Sequence, residues 1–189
     1  MNKFICLDTE TGGITPGTSL LTAFFGIFDE EFNLVDEIYF SLKPEDDNYV
    51  VTAQALEINK INLIEHNKIA ILYKDAKTPL YEFLKKNYQG EKLIPVGHGI
   101  YFDVLRIKQH LISQGSWETF VSYKTLDTGV IFNFLKILNI FPNDASGSLD
   151  SLLTMLNIPS IGELHNCKID ALQTMSVLKA FVSKYKNLL

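Results

Sequence analysis

Apolar and polar positions along the chain fall into short blocks, and the blocks near the N-terminus have strand character. Phe4-Ile5-Cys6-Leu7 is a continuous apolar run stopped by Asp8, the pattern of a buried strand. Leu20 to Phe28 and Leu34 to Leu42 are two further β-rich runs. The segment between them, Asp29-Glu30-Glu31-Phe32-Asn33, is polar and of hairpin length. Three antiparallel strands are expected there. From Glu45 to Lys92 the chain is more polar and reads as loop plus helices. Within it, Thr78-Pro79 is expected to open a helix with proline in the first position, and Leu80, Phe83 and Leu84 repeat at helical spacing.

Leu93-Ile94-Pro95-Val96 is another short buried run, closed by Gly97-His98-Gly99. A helix is expected next, with Val104, Ile107 and Leu111 on one face and Gly115 ending it. Leu126, Val130, Ile131, Phe134, Leu135 and Leu138 mark a further helix. Ser148 is placed to cap one carrying Leu149, Leu152, Leu153 and Leu156, with Asn157 as its left-handed C-terminal residue. The last helix starts near Asn166 and turns Ile169, Leu172, Met175, Leu178, Phe181 and Tyr185 inward. There are no repeats, low-complexity tracts or linkers. The pattern implies an α/β fold over one domain, residues 1–189, with strands first and helices dominating the second half.

Composition narrows this further. Of 189 residues 47% are hydrophobic and 21% charged, which excludes global disorder. Cys6 and Cys167 are too few for a disulfide framework, so a reduced, cytoplasmic setting is expected. No targeting segment is visible, and no apolar run reaches the length that spans a bilayer, so no membrane association is expected. The balance of 17 basic and 22 acidic residues, net −5, argues against a protein that coats nucleic acid electrostatically. It leaves open one that holds nucleic acid through metal ions.

The acids themselves suggest that second case. Asp8 and Glu10 follow the first strand, two residues apart and so on one face. Asp103 belongs to the first turn of the helix after Gly97-His98-Gly99. Asp170 belongs to the first turn of the last helix, five residues after His165. Four carboxylates brought together repel one another unless a cation lies among them. Hard oxygen donors suit Mg²⁺ or Mn²⁺, and a pair of such ions serves phosphodiester displacement.

Three segments carry a family resemblance: Phe4-Ile5-Cys6-Leu7-Asp8-Thr9-Glu10-Thr11-Gly12, Val96-Gly97-His98-Gly99-Ile100-Tyr101-Phe102-Asp103, and His165-Asn166-Cys167-Lys168-Ile169-Asp170-Ala171. In order and spacing they resemble the DEDDh 3′→5′ exonucleases, the group of the proofreading epsilon subunit, ribonuclease T and oligoribonuclease. The resemblance implies a ribonuclease H-like fold, a mixed sheet with three N-terminal antiparallel strands flanked by helices. It implies that Asp8, Glu10, Asp103 and Asp170 bind two Mg²⁺ or Mn²⁺ ions and that His165 is the general base. It implies hydrolysis at the 3′ end of mainly single-stranded DNA or RNA, DNA slightly favoured, releasing nucleoside 5′-monophosphates. Partners would be a polymerase or a second copy of the chain. One position departs from the family: Gly99 stands where asparagine often follows the histidine.

Thr9, Thr11, Gly12, His98, Tyr101 and Phe102 are the substrate-side candidates. Gly12 and Gly13 leave room for close backbone approach to a nucleotide, while for His98 a structural hydrogen bond in a tight turn is favoured over a substrate role. Phe24, Phe25, Tyr101 and Phe102 flank the site region as stacking candidates. His66 and His110 are expected to be solvated, Cys6 to fill core, and Lys124, Lys168, Lys184 and Lys186 to lie on the surface within reach of phosphates. Arg106, the one arginine, is expected to face Asp103 from three residues on. With so little arginine, bidentate base readout is scarce and sequence specificity should be low. A zinc site at His165 and Cys167 lacks a second ligand pair. An aspartyl-phosphate phosphatase would need aspartate at position 10. A catalytically silent binding module of the same fold is the rival reading. Two divalent ions would bring the net charge to about −1, consistent with a local grip on one strand end.

Overall fold

The computed structural model describes residues 3–186. Its centre is a mixed sheet. Strands β1 (Phe4–Thr11), β2 (Leu20–Phe28) and β3 (Leu34–Lys43) form an antiparallel meander. The short β4 (Ile71–Leu72) runs parallel beside β3, while β5 (Ile94–Gly97) and β6 (Leu126–Asp127) extend the other edge in parallel. The order across the sheet is β4-β3-β2-β1-β5-β6. The α/β expectation with three N-terminal antiparallel strands is met.

Helices cover both faces. On one face α3 (Tyr73–Asn87), α4 (Ile100–His110) and α5 (Gln114–Phe120) pack on Ile5, Leu7, Ala23, Phe25 and Ile27. On the other, α8 (Cys167–Tyr185) packs Cys167, Ala171, Met175 and Leu178 against Cys6, Phe24 and Phe28. A third cluster joins α6 (Thr128–Ile137) and α7 (Leu149–Met155) to the outer half of α8 through Phe132, Leu152 and Phe181. The double cover explains why all nine residues of β2 are buried and why its sequence is apolar but for Thr22. Two short helices, α1 (Ala53–Asn59) and α2 (Leu63–Ile69), follow β3. Among the described residues no helix is long and apolar enough to cross a membrane.

Four boundaries differ from the sequence expectation, each for a local reason. β1 continues four residues past its apolar run, because Asp8, Thr9 and Glu10 find ladder partners at Phe24, Ala23 and Thr22 of β2. α3 starts at Tyr73 and holds Pro79 in its interior, a placement that costs about 3 kcal/mol in an isolated helix. Packing offsets that cost: Ala76 is fully buried, and the Tyr73 hydroxyl accepts from Leu20 N (3.0 Å) and donates to Leu20 O (3.1 Å). α4 stops at His110, and Gly115 lies inside α5, whose cap is Ser113, accepting from Ser116 N at 3.2 Å. Leu126 and Asp127 leave the expected helix to pair with Val96 and Gly97 as β6, and Asp127 becomes the N-cap of α6. The caps Ser148 and Asn166 are as expected, and Asn157 has φ +55°. His66 and His110 are not solvated. His66 is buried with Nε2 2.9 Å from Leu42 O, and the His110 ring lies 4.6 Å from that of Tyr73.

Candidate active site

Pleating decides which side chains meet. On β1, Phe4, Cys6, Asp8 and Glu10 share the face that α8 covers, while Ile5, Leu7, Thr9 and Thr11 share the opposite one. Cys6 is core, its thiol donating to Ala171 O at 3.2 Å. That contact holds the first turn of α8 against the strand and brings Asp170 to Asp8 and Glu10. Carboxylate oxygens of these three residues lie within 4.8 Å of one another.

Asp103 arrives from α4, on the other side of the sheet, with its side chain almost wholly buried. Its Oδ1 accepts a 2.6 Å hydrogen bond from the Thr9 hydroxyl. The start of α4 is set by two features. Gly99 has φ +77°, a left-handed conformation that suits glycine and that asparagine tolerates best among the others. Asp127 Oδ2 accepts from Ile100 N at 3.0 Å while its Oδ1 caps α6 through Gly129 N (2.9 Å) and Val130 N (3.2 Å). Asp127 was missed in the sequence because a helix was expected through it; the signal was Asp-Thr-Gly ahead of an apolar run, a cap pattern.

Burial makes these carboxyls weak acids, and repulsion among them adds to it at Asp8 and Glu10. Burial pushes Asp8 well above the ordinary aspartate range, with Asp103, Asp170 and Glu10 adding to it. Glu10 is raised to about 8, first by burial and then by Asp170 and Asp103. Burial raises Asp103 to about 7 against the opposing Thr9 hydrogen bonds. Asp170 reaches about 6 by burial, opposed by the backbone N–H of His165, which donates to its Oδ2 at 3.0 Å. Among the described residues no lysine or arginine forms an ion pair with any of the four. Asp170 Oδ1 is buried without a hydrogen-bond partner. An all-oxygen donor set under strong mutual repulsion, with one buried oxygen left unpartnered, fits a hard divalent cation.

His165 sits in the exposed loop just before α8 at φ +67°, its backbone tied to Asp170. Beside Glu10 opens a cavity of about 320 Å³, walled by Gly13, Ile14 and Thr15, by Thr52, Gln54, Ala55, Ile58 and Asn59, and by Thr9, Thr11 and Phe102. Asn59 was also missed; its Nδ2 donates to Thr11 O at 3.2 Å and ties α1 to β1.

Several substrate-side expectations need correction. The room at Gly12 is used by the chain itself: a Cβ there would lie 2.3 Å from Val50 O, and Thr52 N donates to Gly12 O at 2.7 Å. Phe24 and Phe25 are fully buried core on opposite faces of β2, so neither is available for stacking. Tyr101 is 80% exposed but lies outside this cavity, bordering another with Tyr123. His98 makes the structural hydrogen bond, Nδ1 to Thr128 Oγ1 at 2.8 Å, and burial lowers its pKa. Arg106 does not pair with Asp103. Its guanidinium is buried, donating to Gly13 O, Thr15 O and Thr18 Oγ1 on the loop after β1. Lys168 pairs with Glu37, and Cys167 is buried, receiving a hydrogen bond from the Thr22 hydroxyl at 3.1 Å, so it offers no zinc ligand beside His165.

No protein-family model matches this sequence, and no curated protein does. Solved structures do match in fold. Escherichia coli exonuclease I in complex with a dT13 oligonucleotide superposes with a TM-score of 0.82 at 19% identity, covering 100% of this chain and 42% of the other. The zinc-ion-bound form of the E. coli exonuclease I–ssDNA complex gives 0.83 at 18% identity, again over 100% and 42%. The complex of exonuclease I with SSB-Ct gives 0.80 at 18%, with the same coverage. The chain has the fold of the exonuclease domain of that enzyme and spans 42% of the length of these structures.

Proposed function

We propose that this chain is a metal-dependent 3′→5′ exonuclease acting on the ends of single-stranded nucleic acid, with DNA the favoured substrate. The observation that carries the reading is the convergence of Asp8, Glu10 and Asp170 within 4.8 Å, with Asp103 outside that group but close enough for its charge to act on Asp8, on a fold solved elsewhere around oligonucleotides. Asp8, Glu10, Asp103 and Asp170 would hold two Mg²⁺ or Mn²⁺ ions. When bound, the ions supply Lewis acidity at the scissile phosphate and balance the charge that grows on the attacking and leaving oxygens.

The chain's own groups do the remaining work. His165, exposed at the mouth of the site, accepts the proton of the attacking water and releases it to solvent between turnovers. Its left-handed backbone and the N–H bond to Asp170 orient the loop relative to the acids. Phe102 and the apolar side chains of Ile14, Ala55 and Ile58 border a cavity of about 320 Å³ next to Glu10, a size that suits one nucleotide. Its polar side chains are Glu10, Thr9, Thr11, Thr15, Thr52, Gln54 and Asn59; Asn59 is engaged with Thr11 O, and no arginine is present to read a guanine, in keeping with low sequence specificity.

The test is digestion of end-labelled single-stranded DNA and RNA with Mg²⁺ or Mn²⁺. Stepwise shortening from the 3′ end, abolished by EDTA and by Asp8→Ala, is expected. A chain that binds oligonucleotides but neither binds Mn²⁺ nor shortens them is a binding module instead.

A further inference from the structure

The chain's only arginine is at α4 position 106, where it is 1% exposed. A buried guanidinium is costly unless its donors find acceptors. Here Nε is buried without a partner, and most of the acceptors for the two Nη groups come from one short loop. Nη2 donates to Gly13 O (3.4 Å), Thr15 O (2.5 Å) and Thr18 Oγ1 (3.1 Å), and Nη1 to Gln109 Oε1 (3.4 Å). The loop is folded around the same carbonyls: Gly13 O also accepts from Thr11 Oγ1 (2.9 Å) and Thr18 Oγ1 (2.6 Å), and Thr15 O from Thr18 Oγ1 (2.9 Å). Carbonyls turned inward leave the outer side of the loop to Ile14, which is 88% exposed, and to the cavity beside Glu10. The guanidinium carbon also lies 5.0 Å from the centroid of the Phe102 ring, which borders that cavity from α4.

One side chain thus touches two walls of the cavity, the 13–18 loop and Phe102. It springs from the helix that carries Asp103 one turn earlier. We infer that Arg106 is a positioning residue: it fixes the nucleotide cavity in register with the acidic cluster by tying the loop after β1 to α4. The inference rests on the exonuclease reading for its substrate and on nothing but geometry for the clamp. Arg106 touches none of the reacting atoms, so its removal loosens the fit to the terminal nucleotide and leaves the acids in place. Lysine cannot substitute fully, because a single ammonium does not combine a planar fork on the loop with a flat face on an aromatic ring.

The test compares wild type with Arg106→Met, which keeps most of the volume, and with the milder Thr18→Val, which removes only the hydroxyl at the hub. Amide hydrogen exchange comes first and needs no activity. Gly12 N and Ser19 N, both hydrogen-bonded in the folded loop, should exchange faster in both variants while the amides of α8 stay protected. Steady-state digestion of a single-stranded oligonucleotide should then show KM raised about tenfold or more for Arg106→Met with kcat within about twofold. The shift should be smaller but of the same sign for Thr18→Val and Arg106→Lys, with Mn²⁺ affinity and the pH profile of kcat unchanged. Unaltered exchange in the loop, or a fall in kcat with KM unmoved, overturns the inference. Should the wild type fail to shorten any oligonucleotide, the exonuclease reading falls by itself. The clamp is then judged by exchange and by the affinity for a fluorescent thymidine oligonucleotide, which should drop in Arg106→Met.

Discussion

Replacing Asp8 by asparagine should make the metal-free protein more stable while destroying its response to metal. Oxygens of Asp8, Glu10 and Asp170 lie within 4.8 Å of one another in a largely desolvated pocket. Two unit charges at that separation repel by roughly 3.5 kcal/mol at an effective dielectric of ~20. The carboxyls evade part of this by holding protons: Glu10 is raised to about 8, first by burial and then by Asp170 and Asp103. Relief on removing one charge near pH 8.5 is therefore smaller than one full pair, about 2 kcal/mol, and about 4–8 °C in Tm for a chain of this size. In the presence of Mn²⁺ at a hundredfold excess over its Kd, the wild type should gain about 2.7 kcal/mol by mass action, and Asp8→Asn almost nothing. The assay is calorimetric or fluorescence-monitored melting of both proteins in EDTA and in Mn²⁺. The order of the two Tm values should reverse between the conditions. An Asp8→Asn protein that melts at or below the wild type in EDTA, or that gains the same increment from Mn²⁺, would refute the electrostatic account of the cluster.

Burial of these carboxyls, with repulsion adding at Glu10, predicts a pH dependence. Glu10 (about 8 in the fold, 4.5 ordinarily) and Asp170 (about 6 against 3.8) bind protons more tightly folded than unfolded. Their stabilisation is present at low pH and is lost as pH rises through those folded values. Urea midpoints in EDTA should accordingly decline between about pH 4.5 and 8, and a curve rising over that window from these groups contradicts the assignment. His165→Gln should lower kcat by about 10²–10⁴ while Mn²⁺ affinity is kept, and a loss of metal binding instead would make His165 a ligand rather than a base. Asp127→Ala strands the N–H groups of Ile100, Gly129 and Val130 and should cost about 2 kcal/mol in urea denaturation, with activity reduced through a shifted Asp103; an unchanged midpoint would show that water replaces the carboxylate without penalty.

The elements that were legible in the sequence are those whose stability is local or whose burial is uniform. The apolar run of β2 and its hairpin to β3 fell where the pattern put them, as did the caps Ser148 and Asn166, whose side chains bond amides two or three residues away. The departures lie where partners are remote in sequence. β1 outruns its apolar stretch because β2 supplies ladder partners for acidic residues, and α3 tolerates Pro79 because Tyr73 is anchored at Leu20, 53 residues away. Arg106 makes the same point. Helical spacing alone puts it near Asp103, but two carbonyls and a hydroxyl 88 to 93 residues away offer a buried cation more acceptors than one carboxylate that Thr9 already engages.

By itself the sequence determined the fold class, the three acidic motifs with their histidine, and the need for something cationic among so many acids. Those are properties of residue type, order and spacing along one chain. Only the tertiary structure decided which acids meet: β1 pleating and α8 packing bring Asp8, Glu10 and Asp170 together, while Asp103 lies outside that group, hydrogen-bonded to Thr9 from the other side of the sheet and acting on Asp8 through its charge. It also decided that the space beside Gly12 belongs to the chain and that the cavity lies one loop further on. The physical reason is common to both. Spacing fixes a side chain's direction only within its own helix or strand, and the faces that two such elements present to each other are chosen by the packing of the core between them.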